Sequence, residues 1–137
     1  MAVAPGAAAA IASPLNWLAV GAGAAIGAWL RWGLSLWLTR LHLHINLGTA
    51  VANVAGGYLV GLALALFAQH PSVPPAWRLF AITGFLGGLT TFSTFSGESV
   101  LLLGRGQYGW ALAHTALHLL GSLVACAAGF ATWRAFS

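Results

Sequence analysis

Four long apolar runs dominate this sequence and decide what it can fold into. They cover about residues 15–38, 45–67, 77–103 and 108–130. A helix needs about 20 apolar residues to cross a bilayer, where it satisfies its own backbone hydrogen bonds. Charged residues make up only 4% of the chain, far below the share that covers a soluble globular protein. The sequence therefore predicts an all-α membrane protein with four transmembrane helices.

The four runs leave no room for a second domain in 137 residues. We expect residues 15–137 to form a single transmembrane domain. Residues 1–14 are rich in Ala and carry no Lys or Arg, so they lack the basic start of a cleaved signal peptide. We interpret them as an N-terminal extension.

The five basic residues of the chain are all arginines, and they predict its orientation only weakly. Arg31, Arg40 and Arg105 fall on one side of the predicted bundle, and Arg78 and Arg134 fall on the other. A Lys and Arg bias between loops normally orients a membrane protein. With so little bias, the chain can insert both ways and form an antiparallel, dual-topology homodimer. The alternative is one orientation set by other features.

The third run is longer than one span requires and contains polar residues at bilayer depth. Paired glycines weaken a helix, and nearby hydroxyls can bond the backbone groups that unwinding frees. We therefore expect the third helix to be broken, with local unwinding at Gly87 and Gly88. Carbonyls from two such breaks at a dimer axis would suit a hard monovalent cation. A Ser/Thr-rich packing seam is the alternative; its hydroxyls would come from Thr90, Thr91, Ser93 and Thr94.

Two aromatic rings and one amide are candidates to contact an anion. A phenyl ring has a positive edge, so Phe92 and Phe95 can replace part of the hydration of a small anion. Core packing is their alternative role. Asn53 lies near the middle of the second run and offers an amide donor; a hydrogen bond between helices is its alternative role.

The fourth run carries a polar stripe. His114, His118 and Ser122 recur at a spacing of four, so they share one helix face and line either a pore or a seam. Two histidines on one face can bind a metal, but no acidic ligand accompanies them in that helix, so metal transport is not expected. Glu98 is the single acidic residue, which excludes the paired carboxylates of a hydrolase. We do not expect an enzyme.

Three stretches resemble the Fluc (CrcB) family of fluoride channels. Residues 84–98 read GFLGGLTTFSTFSGE and resemble the family signature. Residues 21–31, GAGAAIGAWLR, and residues 46–61, NLGTAVANVAGGYLVG, resemble its first-helix and second-helix patterns. The resemblance covers nearly the whole chain beyond the N-terminal extension.

The resemblance implies a channel that passively exports fluoride from the bacterial cytoplasm across the inner membrane and so reduces fluoride toxicity. It also implies an antiparallel homodimer with two pores and a central structural sodium ion, which main-chain carbonyls of Gly87 and Thr90 would hold. Fluoride, a second copy of the chain and lipid are then the partners. Neither a nucleotide nor a nucleic acid is expected.

The family's motif positions also imply which side chains face the ion. Arg31 and Glu98 would lie at the pore mouth or orient their neighbours. His114 and His118 stand where the polar track of the family usually carries tyrosine or serine, which is the main departure of this chain. The residues expected along the fluoride pore are Asn53, Phe92, Ser93, Thr94, Phe95, His118 and Ser122.

Two other classes of membrane protein share parts of this pattern. A small multidrug-type transporter has four short helices and dual insertion, but it carries a membrane-embedded carboxylate in its first helix, and this chain has none there. A non-conducting membrane scaffold would account for the small-residue seams. It gives no reason for glycines, hydroxyls and phenyl rings to gather at one depth.

Overall fold

The chain is described by a computed structural model for residues 11–41 and 44–137, and this part is helical throughout its length apart from short connections. Most of the predicted N-terminal extension, residues 1–10, lies outside the described residues. The helices outside the third span are α1 (Pro14–Leu38), a 3-10 turn (Thr39–Leu41), α2 (Leu47–Gln69) and α6 (Tyr108–Phe136). The fourth helix therefore continues six residues past the predicted end at 130, and the aromatic and basic residues near its end belong to it.

The third span is broken, as the sequence predicts. It consists of α3 (Pro75–Arg78), a π-helical segment (Leu79–Leu86), α4 (Gly87–Leu89) and α5 (Phe92–Gly104). The location of the break was predicted incorrectly, because Gly87 and Gly88 are still helical and the chain unwinds at Thr90 and Thr91. The two threonines supply extended backbone and side-chain hydroxyls together, which two glycines cannot do.

Side-chain caps set the starts of three helices. Ser13 accepts a hydrogen bond from the backbone N–H of Asn16 at the start of α1. Asn46 accepts from two backbone N–H groups at the start of α2. Thr91 Oγ1 accepts from the N–H of Thr94 at the start of α5, 3.2 Å away. Short polar side chains are the usual N-caps. Thr91 therefore both ends the unwound stretch and caps the next helix.

Small residues allow the helices to pack closely. The principal contacts join α2 to α6 and α1 to the π-helical segment. A Cβ at Gly61 would overlap the carbonyl of Cys126, and one at Gly129 would overlap the carbonyl of Tyr58. Gly88 lies against the backbone of Ala24 in the same way. Close backbone approach is how membrane helices associate, so Gly88 contributes to packing rather than to unwinding.

The chain is a multi-pass membrane protein. Leu47–Gln69, Pro75–Gly104 and Tyr108–Phe136 are long and apolar enough to cross a bilayer. Helix α1 has 25 residues and comparable length, but Asn16 and Arg31 lower its mean hydropathy. Many large apolar side chains remain exposed on the described surface, as expected where lipid or another apolar partner covers it.

Candidate functional site

The break in the third span is the centre of the site. Thr90 has φ −90° and ψ 150°, and Thr91 has φ −151° and ψ 118°, so both residues are extended between two helices. Thr90 Oγ1 donates to the carbonyl of Leu86 at 2.8 Å. Thr91 Oγ1 also hydrogen-bonds to Ser93 Oγ and Thr94 Oγ1. Ser93 and Thr94 thus hold Thr91 at the start of α5. Neither of them lines the cavity beside Asn53 and Phe92.

Asn53 of α2 stabilises this break. Its Oδ1 accepts from the backbone N–H of Thr91 at 2.7 Å, and its Nδ2 donates to the Thr91 carbonyl at 2.9 Å. A buried backbone group without a partner costs about 1–3 kcal/mol, and one side chain removes two such costs here. In a continuous helix the Thr91 N–H would donate to the carbonyl of Gly87. That carbonyl is therefore released from its usual helical partner.

Arg31 contacts the same segment from α1. Its Nε donates to the carbonyl of Gly88 at 3.2 Å. This hydrogen bond satisfies another carbonyl at the end of α4, where the helix leaves its last C=O groups without intrahelical partners. In a single chain, Arg31 therefore orients the break.

Phe92 and Phe95 lie in contact but in different surroundings. Their ring centroids are 5.1 Å apart with an interplanar angle of 72°, the edge-to-face arrangement that aromatic rings favour. Phe92 is 72% exposed, whereas Phe95 is 7% exposed. Phe95 also stacks on His114 and His118, with centroid distances of 5.7 Å and 5.1 Å. Phe95 therefore joins the aromatic pair to the polar stripe of α6.

Glu98 organises one end of the stripe. Its Oε1 accepts from Asn46 Nδ2 at 3.1 Å and from Thr49 Oγ1 at 3.0 Å. Its Oε2 lies 3.1 Å from His114 Nε2. Ser99 Oγ lies 3.0 Å from the other ring nitrogen of His114. The single carboxylate is thus bound on both oxygens by polar groups of α2, of its N-cap and of α6.

Three residues of this network were missed from the sequence: Asn46, Thr49 and Ser99. The signal for them was available only in part. Asn46 and Thr49 lie in the second-helix stretch, but nothing local shows that both point towards a carboxylate 49 or more residues later. Ser99 directly follows the signature stretch, and nothing in the sequence distinguishes it from the other serines of the third run.

The hydrogen bonds of His118 identify where its proton lies. Because Asn53 Oδ1 accepts from the N–H of Thr91, the atom 2.8 Å from His118 Nδ1 is the Asn53 amide nitrogen, a donor. Nδ1 must therefore accept, and a neutral ring carries its proton on Nε2. His118 is 4% exposed, and its Nε2 has no hydrogen-bond partner among residues 11–41 and 44–137. The polar stripe therefore contains a buried N–H donor, Nε2 of His118, that has no acceptor among the described residues.

Two cavities flank the histidine pair. One of about 320 Å³ is lined by Asn53, Phe92, Phe95, His118 and Ser122, together with Thr90 and Thr91. The second, of about 160 Å³, is lined by His44, Asn46, Glu98, Arg105 and His114. The rings of His114 and His118 lie 4.4 Å apart between the cavities. The site is a row of hydrogen-bond donors and aromatic edges with a cavity at each end.

Comparisons with known proteins identify the family of the chain. Residues 18–130 match the family described as CrcB-like protein, Camphor Resistance (CrcB). A protein named Fluoride-specific ion channel FluC from Cupriavidus pinatubonensis is 59% identical over 121 residues, covering 88% of this chain and 96% of the relative. Proteins of the same name from Thiobacillus denitrificans and Pseudomonas putida are 59% identical over 113 residues and 56% identical over 116 residues. These matches cover 82% and 85% of this chain, and 91% of each relative. The chain belongs to the CrcB (Fluc) family.

Proposed function

We propose that this chain is a fluoride channel that lets fluoride leave the bacterial cytoplasm across the inner membrane and so reduces fluoride toxicity. Family membership and the cavity lined by Asn53, His118 and Ser122 support this function. Flow is passive, down the electrochemical gradient, and needs no nucleotide. Fluoride enters a cell as neutral HF in acid and dissociates inside, which supplies the outward gradient. A channel family also accords with the expectation that the chain is not an enzyme.

Fluoride is small and strongly hydrated, so a narrow path must replace its water molecules with donors of the protein. His118 and Ser122 line the larger cavity, and their ring N–H and hydroxyl are the donors that we assign to the ion. The edges of Phe92 and Phe95 add weak attraction for an anion. Several weak sites favour conduction because none of them retains the ion. Ser93 and Thr94 act on this path through Thr91, which they hold in place.

The path passes the Asn53 amide, whose two polar atoms already bond to Thr91 and His118. We therefore assign Asn53 a positioning role for the break and for the His118 proton. Arg31 acts likewise through the carbonyl of Gly88. Glu98 closes the hydrogen-bond network at the smaller cavity rather than contacting fluoride as a free carboxylate, since a bare negative charge would repel the anion.

A second copy of the chain completes the channel in this proposal. Phe92 is 72% exposed beside a cavity that opens to the surface of the single chain, and an aromatic ring exposed next to released backbone carbonyls indicates a covered surface. The weak arginine bias permits opposite insertion of the two copies. An antiparallel homodimer with two pores is the arrangement that follows.

The carbonyls of Gly87 and Thr90 fit a structural sodium ion in such a dimer. The usual helical donor to Gly87 is bonded to Asn53 instead, and Thr90 has left the helix. Neutral carbonyl oxygens are the ligands that a hard monovalent cation accepts in place of water. Two carbonyls from each copy would hold the ion, which would link the two breaks and fix their separation.

Fluoride efflux from liposomes containing the purified protein tests the function. Efflux is followed with a fluoride electrode under a potassium-driven membrane potential, and chloride efflux is measured in parallel. Protein-free liposomes are the control. Fast fluoride release without chloride release supports the channel, whereas no release from a folded dimer rejects it. In that case, proton-driven uptake of cationic drugs would point to a multidrug-type transporter, and its absence would point to a scaffold.

A further inference from the structure

The structure brings a carboxylate to the two histidines of α6, although the sequence of that helix contains none. We infer that Glu98, His114 and His118 form a binding site for a divalent first-row transition metal ion of the Zn²⁺ class. One ligand atom from each residue lies within 4.8 Å of the other two. Two imidazoles and one carboxylate are a donor set that such ions bind in proteins.

The spacing of Glu98 and His114 suits a shared metal ion. Glu98 Oε2 and His114 Nε2 are 3.1 Å apart. Around a tetrahedral Zn²⁺ with bonds of roughly 2.0–2.1 Å, neighbouring ligand atoms lie about 3.3 Å apart. The pair therefore needs to open by only a few tenths of an ångström. The His114 side chain is fully buried, so the ion would be shielded from water on that side.

Outer hydrogen bonds already orient these two ligands. Glu98 Oε1 is held by Asn46 and Thr49, so Oε2, which contacts His114 Nε2, is the oxygen that can bind an ion. Ser99 Oγ lies 3.0 Å from His114 Nδ1 and can accept its proton when Nε2 binds the metal. Metal-binding histidines and carboxylates are usually fixed in this way by a second set of polar groups.

His118 supplies the third ligand through one of its ring nitrogens. Nε2 of this 4% exposed side chain has no partner among the described residues. To bind a metal, Nε2 must pass its proton to Nδ1 and give up the hydrogen bond from Asn53. Loss of this hydrogen bond makes metal binding weaker. Asn53 keeps its two hydrogen bonds to Thr91. Water takes the fourth position.

An ion at this position would close the proposed fluoride path. It would lie between the two cavities and take the nitrogen whose N–H is the proposed donor to the anion. It can enter from the smaller cavity, which Glu98 and His114 line; Arg105 lines it too and slows the approach of a dication. Metal binding stands by itself, whereas inhibition of flux rests on the proposed function.

Co²⁺ is the probe for binding, because its visible absorption reports nitrogen and oxygen ligands. We expect tag-free protein in detergent to bind one Co²⁺ per chain, with the absorption lost on adding Zn²⁺. His114→Gln and His118→Gln should remove the absorption, and Ser99→Ala should weaken Co²⁺ binding by about tenfold. His44→Gln is the matched control, because His44 lines the same cavity outside the cluster. Cys126→Ser controls for the thiol.

The same variants are then tested in the fluoride efflux assay, each with and without micromolar Zn²⁺. Inhibition of the wild type and of His44→Gln, but not of His114→Gln, supports the inference. Co²⁺ absorption that survives in both histidine variants, or its absence from the folded wild type, overturns it. Co²⁺ binding without any fluoride flux would reject only the proposed function, and flux without Co²⁺ binding would reject only the metal site. Thermal unfolding of each variant identifies one that fails to fold, and Glu98→Gln then serves in its place.

Discussion

The side chain of Asn53 holds both backbone groups of Thr91, at 2.7 Å and 2.9 Å, across 38 positions of sequence. This relationship explains how a membrane span can contain two extended residues. Lipid offers no hydrogen bonds, so irregular backbone survives there only where protein groups satisfy it. The break is therefore a property of α2 as much as of the third span.

Replacing Asn53 should weaken the fold measurably. Asn53→Ala leaves the N–H and carbonyl of Thr91 without these partners, and we expect a loss of about 2 kcal/mol or more in the free energy of unfolding. Thermal unfolding in detergent measures it. Asn16→Ala is the matched control, since buried Asn16 donates its side-chain hydrogen bond to the nearby carbonyl of Ile11. Equal losses in the two variants would contradict the special role of Asn53.

The two phenyl rings should separate flux from stability. Phe92→Ile and Phe95→Ile keep most of the side-chain volume but lose the positive ring edge, so both should abolish fluoride flux. Phe92 is exposed in the single chain, and its replacement should change the stability of the isolated subunit by about 0.5 kcal/mol or less. Phe95 stacks on both histidines, and its replacement should cost about 1–3 kcal/mol. Normal flux in both variants would reject the role of the ring edges.

Glu98 offers a test of the network at the smaller cavity. Glu98→Gln keeps an oxygen for Asn46 and Thr49. A His114 ring with its proton on Nδ1 can accept a hydrogen bond from the new amide through Nε2. Glu98→Leu leaves all three partners unsatisfied and should be less stable than Glu98→Gln by about 2–4 kcal/mol. Chemical unfolding of both variants measures the difference. Similar stabilities would show that these hydrogen bonds contribute little.

Packing between α2 and α6 should depend on the absence of a side chain at Gly129. Gly129→Ala places a methyl group against the carbonyl of Tyr58 and should destabilise the protein by about 1–3 kcal/mol. Gly21→Ala meets nothing within 4 Å and should stabilise its helix by about 0.5–1 kcal/mol. Thermal unfolding of the pair compares them. A tolerated Gly129→Ala would mean that the two helices are not tightly held here.

Removal of sodium tests the proposed central ion. Replacing Na⁺ by a bulky organic cation at constant ionic strength should lower the thermal midpoint of the dimer and stop fluoride flux, because the Gly87 and Thr90 carbonyls would lose their shared ligand. Thermal unfolding, gel filtration and efflux in matched buffers give the readouts. Full stability and flux without Na⁺ would remove the ion from the proposal.

Much of the architecture follows from local features of the sequence. Runs of apolar residues specify spans because each helix in lipid must satisfy its own backbone, and the helical structure agrees within about six residues at the end of α6. The presence of a break was predictable from the glycines and hydroxyls of residues 83–98. Its position was not, because Gly88 is needed for contact with Ala24 while Thr91 has a partner on another helix.

Sequence alone therefore determined the number of helices, the broken third span and the residues that gather near it. Only the tertiary structure decided their partners: Asn53 with Thr91 and His118, and Glu98 with Asn46, Thr49 and His114. The physical reason is register. The position of α6 along α2 is set by close backbone contacts such as that of Gly129 with Tyr58. The helical periodicity of each helix predicts which residues share a face, but it does not predict the offset between two helices.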